Sequence, residues 1–126
     1  KLIDFGFSKL WDPRVKMEGS LGTIAYVAPE VLRQSYPSQC DLWSLGVISF
    51  ILLSGGMPFS GSDMAMARSI AEGCYVMKPC KWEGISPEAV HFTRSLLDVE
   101  PRSRLTAQSA LLHPWIAKRR KAEACT

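Results

Sequence analysis

Histidine is scarce in this chain, with two among 126 residues, and no C-x-x-C pair joins the four cysteines Cys40, Cys74, Cys80 and Cys125. Neither set completes the ligand spacing of a structural zinc site. No EF-hand loop pattern occurs either, so a calcium site of that type is absent from the sequence. Charge of one sign is also lacking: the net charge is +3, and it is concentrated in Lys118, Arg119, Arg120 and Lys121 against Glu123. The rest of the chain is balanced, which excludes the basic face that a nucleic-acid-binding domain needs. The longest apolar run, Leu45 to Leu53, is interrupted by Ser49 and is too short to span a bilayer, so no membrane partner is expected. No secretory signal is visible, and unpaired thiols fit a reducing, cytoplasmic compartment. The chain opens on Lys1 rather than Met, so residues upstream of it are expected.

What is present is ordinary globular material. Hydrophobic residues make up 47% and charged residues 21%, which is too apolar for a disordered chain. Lys1-Leu2-Ile3 reads as a strand stub running into a turn at Asp4-Phe5-Gly6. From there to about Pro29 no period holds, and a loop of that length is usually functional or disordered. Helical signals then follow one another. Glu30-Val31-Leu32 reads as a single turn. Ser38 to about Leu53 reads as a buried helix, apolar on most sides and ended by Gly55-Gly56 and Pro58. Ser62 caps a helix to about Glu72, stopped by Gly73. Cys74 to Ile85 reads as a loop. Ser86-Pro87-Glu88 opens a helix whose inward face carries Val90, Thr93, Leu96 and Leu97. Thr106 opens a short helix through Leu112 that stops at Pro114.

Certain short motifs carry more than shape. Asp4-Phe5-Gly6 is followed by Gly22-Thr23, Tyr26 and Ala28-Pro29-Glu30. Asp41-Leu42-Trp43-Ser44-Leu45-Gly46 comes next, then Pro58-Phe59-Ser60-Gly61. Pro101-Arg102-Ser103-Arg104-Leu105-Thr106 and His113-Pro114-Trp115 complete the series. In this order and spacing they resemble the eukaryotic-type serine/threonine protein kinase domain, from its D-F-G motif to its last helix. The Lys1–Lys9 and Gly22–Leu32 segments, with Tyr75, Trp82, Ile85-Ser86 and Leu112–Trp115, are similar to the calcium/calmodulin-dependent and calcium-dependent kinase group.

That resemblance implies a protein kinase-like α+β fold, of which this chain is the mainly α-helical part of the C-lobe with a strand stub at its start. It divides the chain into a partial kinase domain over residues 1–116 and a basic tail over residues 117–126. The first part comprises an activation segment (4–30) and a helical bundle (31–116). The function implied is transfer of the ATP γ-phosphate to serine or threonine hydroxyls of a protein substrate, with ATP and Mg²⁺ as cofactors. Asp4 would be the Mg²⁺ ligand, bridging the metal to the nucleotide, and Phe5 would pack inward after it. Gly6 permits the turn. Gly22 and Thr23 would sit where the substrate's reacting residue docks, with Tyr26 lining the next pocket. Glu30 and Arg104, 74 positions apart, would form a buried ion pair. Asp41 would orient the catalytic-loop backbone, although helix-start electrostatics explains it equally, and Trp43 would pack beneath the substrate loop. The family has Asp before Pro101, where this chain has Glu100.

Ser20 is a candidate phosphosite with Lys16 near it in sequence; Glu18 could supply standing negative charge instead. The sequence contains no Gly-rich phosphate loop, no V-A-I-K lysine, no H-R-D catalytic loop and no metal-binding Asn. The catalytic base is therefore expected upstream of Lys1, and residues 1–126 alone are expected to be inactive, with an apolar face of the buried helix left uncovered. A non-catalytic kinase-like module that binds substrates or partners is the alternative, and a stranded fragment with no role of its own is a third. The resemblance leaves room for a regulatory calcium-sensing domain or calmodulin outside this chain.

Overall fold

A computed structural model of the chain describes residues 1, 5, 17–18, 24–33, 35–36 and 39–124. The strand stub, apart from Lys1, lies outside the described residues. In the first third, β1 (Met17–Glu18) and β2 (Ser35–Tyr36) pair antiparallel, with Met17 opposite Tyr36. Between them lie a 3₁₀ turn (Ile24–Tyr26) and the one-turn helix α1 (Pro29–Leu32). Five longer or shorter helices follow α2 (Cys40–Ser54): α3 (Asp63–Glu72), α4 (Pro79–Trp82), α5 (Pro87–Leu96), α6 (Ala107–Leu112) and α7 (Pro114–Ala124).

Three of the helix starts, those of α3, α5 and α6, are set locally by hydroxyl caps. Ser62 and Ser86 each accept the backbone N–H three residues on, at 3.2 Å. Thr106 and Ser109 form a reciprocal pair, with Ser109 N–H donating to Thr106 Oγ1 at 3.0 Å and Thr106 N–H donating to Ser109 Oγ at 2.8 Å. Each such bond satisfies a donor that the helix geometry leaves without a partner. The end of α2 falls at Gly55, whose φ of 72° is a conformation that costs glycine nothing.

The two prolines read as loop or stop signals behave differently. Pro79 and Pro114 each occupy the first turn of a new helix, where the missing N–H is one that would have had no partner. The segment 74–85 therefore contains α4, and α7 carries helix through most of the basic tail.

The core gathers around α2. Trp43, Val47 and Phe50 are buried from α2, in one cluster with Val27, Ala28, Val31, Phe59, Ile70, Trp82 and Leu97. Trp43 stacks on Phe59 at 5.7 Å between centroids, and Phe50 meets the Trp82 ring edge-on at 5.0 Å. Such side chains contribute about 1.5–3 kcal/mol each on full burial. α2 and α5 approach so closely at Gly46 that a Cβ there would lie 2.8 Å from Leu96 Cβ. On the inward face of α5, Thr93 is fully buried and returns its hydroxyl proton to the Ala89 carbonyl at 3.0 Å. Leu45, Ile48 and Leu52 lie on a different face of α2 and are exposed, Leu52 to 79%.

A second, smaller cluster of Phe92, Leu96 and Ala110 joins α5 to α6 and α7. His113, between α6 and α7, is buried beside it. His113 Nδ1 accepts the Trp115 N–H at 3.2 Å, so its own proton sits on Nε2, which donates to His91 Nδ1 at 2.8 Å. Burial, and next the charge of His91, holds the His113 imidazole below its ordinary value, while Glu88 pulls the other way. No helix among the described residues is long and apolar enough to cross a membrane.

Candidate functional site

The residues brought together are those of the substrate-loop end and its anchor. The turn Ile24–Tyr26 closes with Val27 N–H donating to the Ile24 carbonyl at 3.0 Å. From α2, Ser44 Oγ donates to the Tyr26 carbonyl at 2.7 Å, fixing the backbone of Tyr26 to the rigid core helix. Ala28 is extended, and Pro29 then opens α1, which turns Glu30 inward.

Glu30 meets Arg104 in a fork-to-fork pair. Arg104 Nη1 donates to Glu30 Oε1 at 2.6 Å and Nη2 to Oε2 at 3.0 Å. The guanidinium also donates from Nε to the Asp98 carbonyl at 2.9 Å and from Nη1 to the Gln39 carbonyl at 2.9 Å. Its carbon lies 5.3 Å from the centre of the Trp43 ring. Arg104 is only 2% exposed. Planar, bidentate geometry with additional carbonyl acceptors is the arrangement in which a buried ion pair recovers its desolvation cost. One side chain thus ties α1, the start of α2 and the segment after α5 into a single unit. Gln39 reinforces it, donating from Nε2 to the Leu105 carbonyl at 3.2 Å.

Two neighbours complete the electrostatics. Cys40 opens α2 beside this anchor. Burial, then the carboxylates of Asp41 and Glu30, push its thiol up to about 11. The thiol is therefore protonated at neutral pH and is not a nucleophile. Trp43 Nε1 is buried with no protein hydrogen-bond partner among the described residues.

The remaining expectations divide. Asp41 stands exposed in the first turn of α2, a position that suits a carboxylate electrostatically. Phe5 is 66% exposed among the described residues. Asp4, Gly6, Ser20, Gly22 and Thr23 lie outside the described residues. Gln39, Ser44 and the Asp98 carbonyl were not singled out from the sequence. Ser44 lay within a quoted motif and three positions along the helix from Asp41, a spacing that places both near one face. The two backbone carbonyls carry no residue-type signal at all.

The described residues do not fit ATP or Mg²⁺ by themselves. No group of three histidine, cysteine, aspartate or glutamate side chains among them could hold a metal ion, and Asp4, the ligand that the sequence suggests, is outside them. What the described geometry provides is a rigid platform that presents Tyr26, with no nucleophile or proton-transfer pair beneath it.

Comparison with known proteins fits that geometry. A family model described as the protein kinase domain matches residues 1–116. CDPK-related kinase 1 of Arabidopsis thaliana is 41% identical over 117 residues, covering 92% of this chain and 20% of the relative. Calcium-dependent protein kinase 13 of the same plant is 42% identical over 123 residues, covering 97% of this chain and 23% of the relative. A rice (Oryza sativa subsp. japonica) protein, calcium/calmodulin-dependent serine/threonine-protein kinase 1, is 41% identical, covering 92% of this chain and 20% of its own length. Among solved structures, the twitchin kinase region from C. elegans superposes with a TM-score of 0.82 at 39% identity, covering 92% of this chain and 21% of that one. The chain thus spans about a fifth of the length of the curated relatives it matches.

Proposed function

The chain belongs to the protein kinase domain family, and on that premise we propose that it forms the substrate-docking half of a serine/threonine kinase C-lobe. The whole protein would transfer the ATP γ-phosphate to serine or threonine hydroxyls of a protein substrate. The observation that carries this reading is the Glu30–Arg104 fork, which locks the turn bearing Tyr26 to α2. Phosphoryl transfer demands mostly positioning and charge neutralisation, and a docking loop held this rigidly meets the first demand.

In this reading Gly22 and Thr23 receive the reacting substrate residue, and Tyr26 lines the pocket for the residue after it. Asp4 is the chain's contribution to Mg²⁺ binding, and Asp41 orients the catalytic-loop backbone. The catalytic base comes from outside residues 1–126, whose sequence holds no H-R-D motif. Regulation by calcium is proposed from the names of the relatives alone, and a cytoplasmic setting from the free thiols.

The test is phosphate transfer from γ-labelled ATP to a mixed set of Ser-, Thr- and Tyr-containing peptides, with the longest polypeptide in which these residues are expressed. Label on serine and threonine, lost in Asp4→Asn, is expected. No transfer, or transfer indifferent to Asp4→Asn, would overturn the kinase reading and leave a binding module.

A further inference from the structure

Beyond the far end of α2, away from the Tyr26 turn, lies a cavity of about 120 Å³. Its apolar part is built by Phe50 and Trp82, which are buried, and by Met57 and Val76, which are exposed to 43% and 70%. Met57 and Val76 thus leave apolar surface open beside an aromatic base. Lys78 and Lys81 also line the cavity. They are the only charged residues from Gly73 to Trp82. Neither forms an ion pair among the described residues, and the nearby Glu83 makes none with them. Lys81 Nζ lies 3.3 Å from where a Cβ on Gly56 would stand, so the absence of a side chain at Gly56 keeps the ammonium over the cavity.

We infer that this groove docks a short acidic peptide segment of a partner protein, with one aliphatic or aromatic side chain seated against Phe50 and Trp82 and flanking carboxylates on Lys78 and Lys81. The charge pattern selects the occupant. Two unpaired ammonium groups beside an apolar cavity favour acid-flanked apolar residues and disfavour basic ones, which would bring like charges together. A single apolar anchor is also a usual way for a small surface to acquire specificity. The groove lies outside the Tyr26 turn and its anchor, so it operates whether or not the chain transfers phosphate.

Fluorescence anisotropy tests this with the longest expressed form of the protein and a labelled decapeptide carrying one phenylalanine among aspartates and glutamates. Saturable, salt-sensitive binding is expected. It should weaken by about tenfold or more when Lys78 and Lys81 are both changed to Glu. It should also weaken in Val76→Asp and with a peptide whose phenylalanine is alanine. These three positions are exposed, so the variants should fold, and unchanged circular dichroism verifies it. No saturable binding, equal binding by the double-Glu variant, or equal binding of a lysine-flanked peptide would each overturn the inference. Self-association that Val76→Asp abolishes, without peptide binding, would overturn it in favour of a second copy of the chain.

Discussion

Among the polar contacts that join distant segments of the described residues, two are built on opposite plans. Arg104 and Glu30 meet through two parallel hydrogen bonds with almost no solvent access, and two backbone carbonyls accept two further guanidinium protons. His91 and His113 meet through one hydrogen bond at the edge of the smaller cluster, with Glu88 and Lys118 paired nearby. An arginine stays charged at any pH a protein survives. A histidine pair holds its bond only while one ring remains an acceptor. The first contact is therefore a clamp whose arginine keeps its charge at any pH the fold survives, and the second is a contact whose strength depends on pH.

Breaking the clamp gives the largest expected effect. Arg104→Ala should lower stability by ~3–5 kcal/mol, because Glu30 is left buried without its partner. Differential scanning calorimetry of the pair of variants sharpens this. Arg104→Met combined with Glu30→Leu should recover much of the loss, since an apolar replacement of both partners carries no uncompensated charge. A double variant no more stable than Arg104→Ala would show that the carbonyl contacts, rather than the ion pair, hold the loop.

Next is the close contact between α2 and α5. Gly46→Ala would force apart helices already at touching distance and should cost about 1–3 kcal/mol, measured as a shift in the urea midpoint. An unshifted midpoint would mean that the Leu96 backbone yields freely.

The histidine contact should be weaker and visible only as a function of pH. His113 binds its proton less readily in the folded state than its ordinary value of 6.5 implies. The unfolded chain therefore takes up more protons as pH falls, and the stability this group contributes is full above 6.5 and declines below it. Melting temperatures at pH 7.5 and 5.5 should differ more for the natural chain than for His113→Gln. Parallel curves would place the acid sensitivity elsewhere. Smallest of all is Lys118→Ala: the Lys118 side chain is 70% exposed and its pair with Glu88 lies at the surface, so no measurable change in melting temperature is expected.

The legible parts of this fold were the local ones. Ser62, Ser86 and Thr106 reveal helix starts because a cap is a contact over three residues. Gly55 reveals an end because its backbone angle suits glycine. Pro79 and Pro114 misled because a proline suits the first turn of a helix as well as the stretch beyond its end, and no hydroxyl stands before either to decide. Glu30 and Arg104 could be paired only through the resemblance, since no periodicity connects residues 74 positions apart. Gln39 and Asp98 serve the clamp through their backbone carbonyls, which every residue has. Phe5 follows from the family pattern rather than from anything in its neighbours.

Cys40 gives this architecture a practical handle. Its protonated, half-buried thiol sits one residue from Gln39, where Arg104 is held, whereas Cys74 and Cys80 are exposed. A maleimide should modify those two at once and reach Cys40 only when the junction parts. The slow phase of alkylation would then time, in solution and without any engineered label, how often the docking loop comes away from the helices behind it.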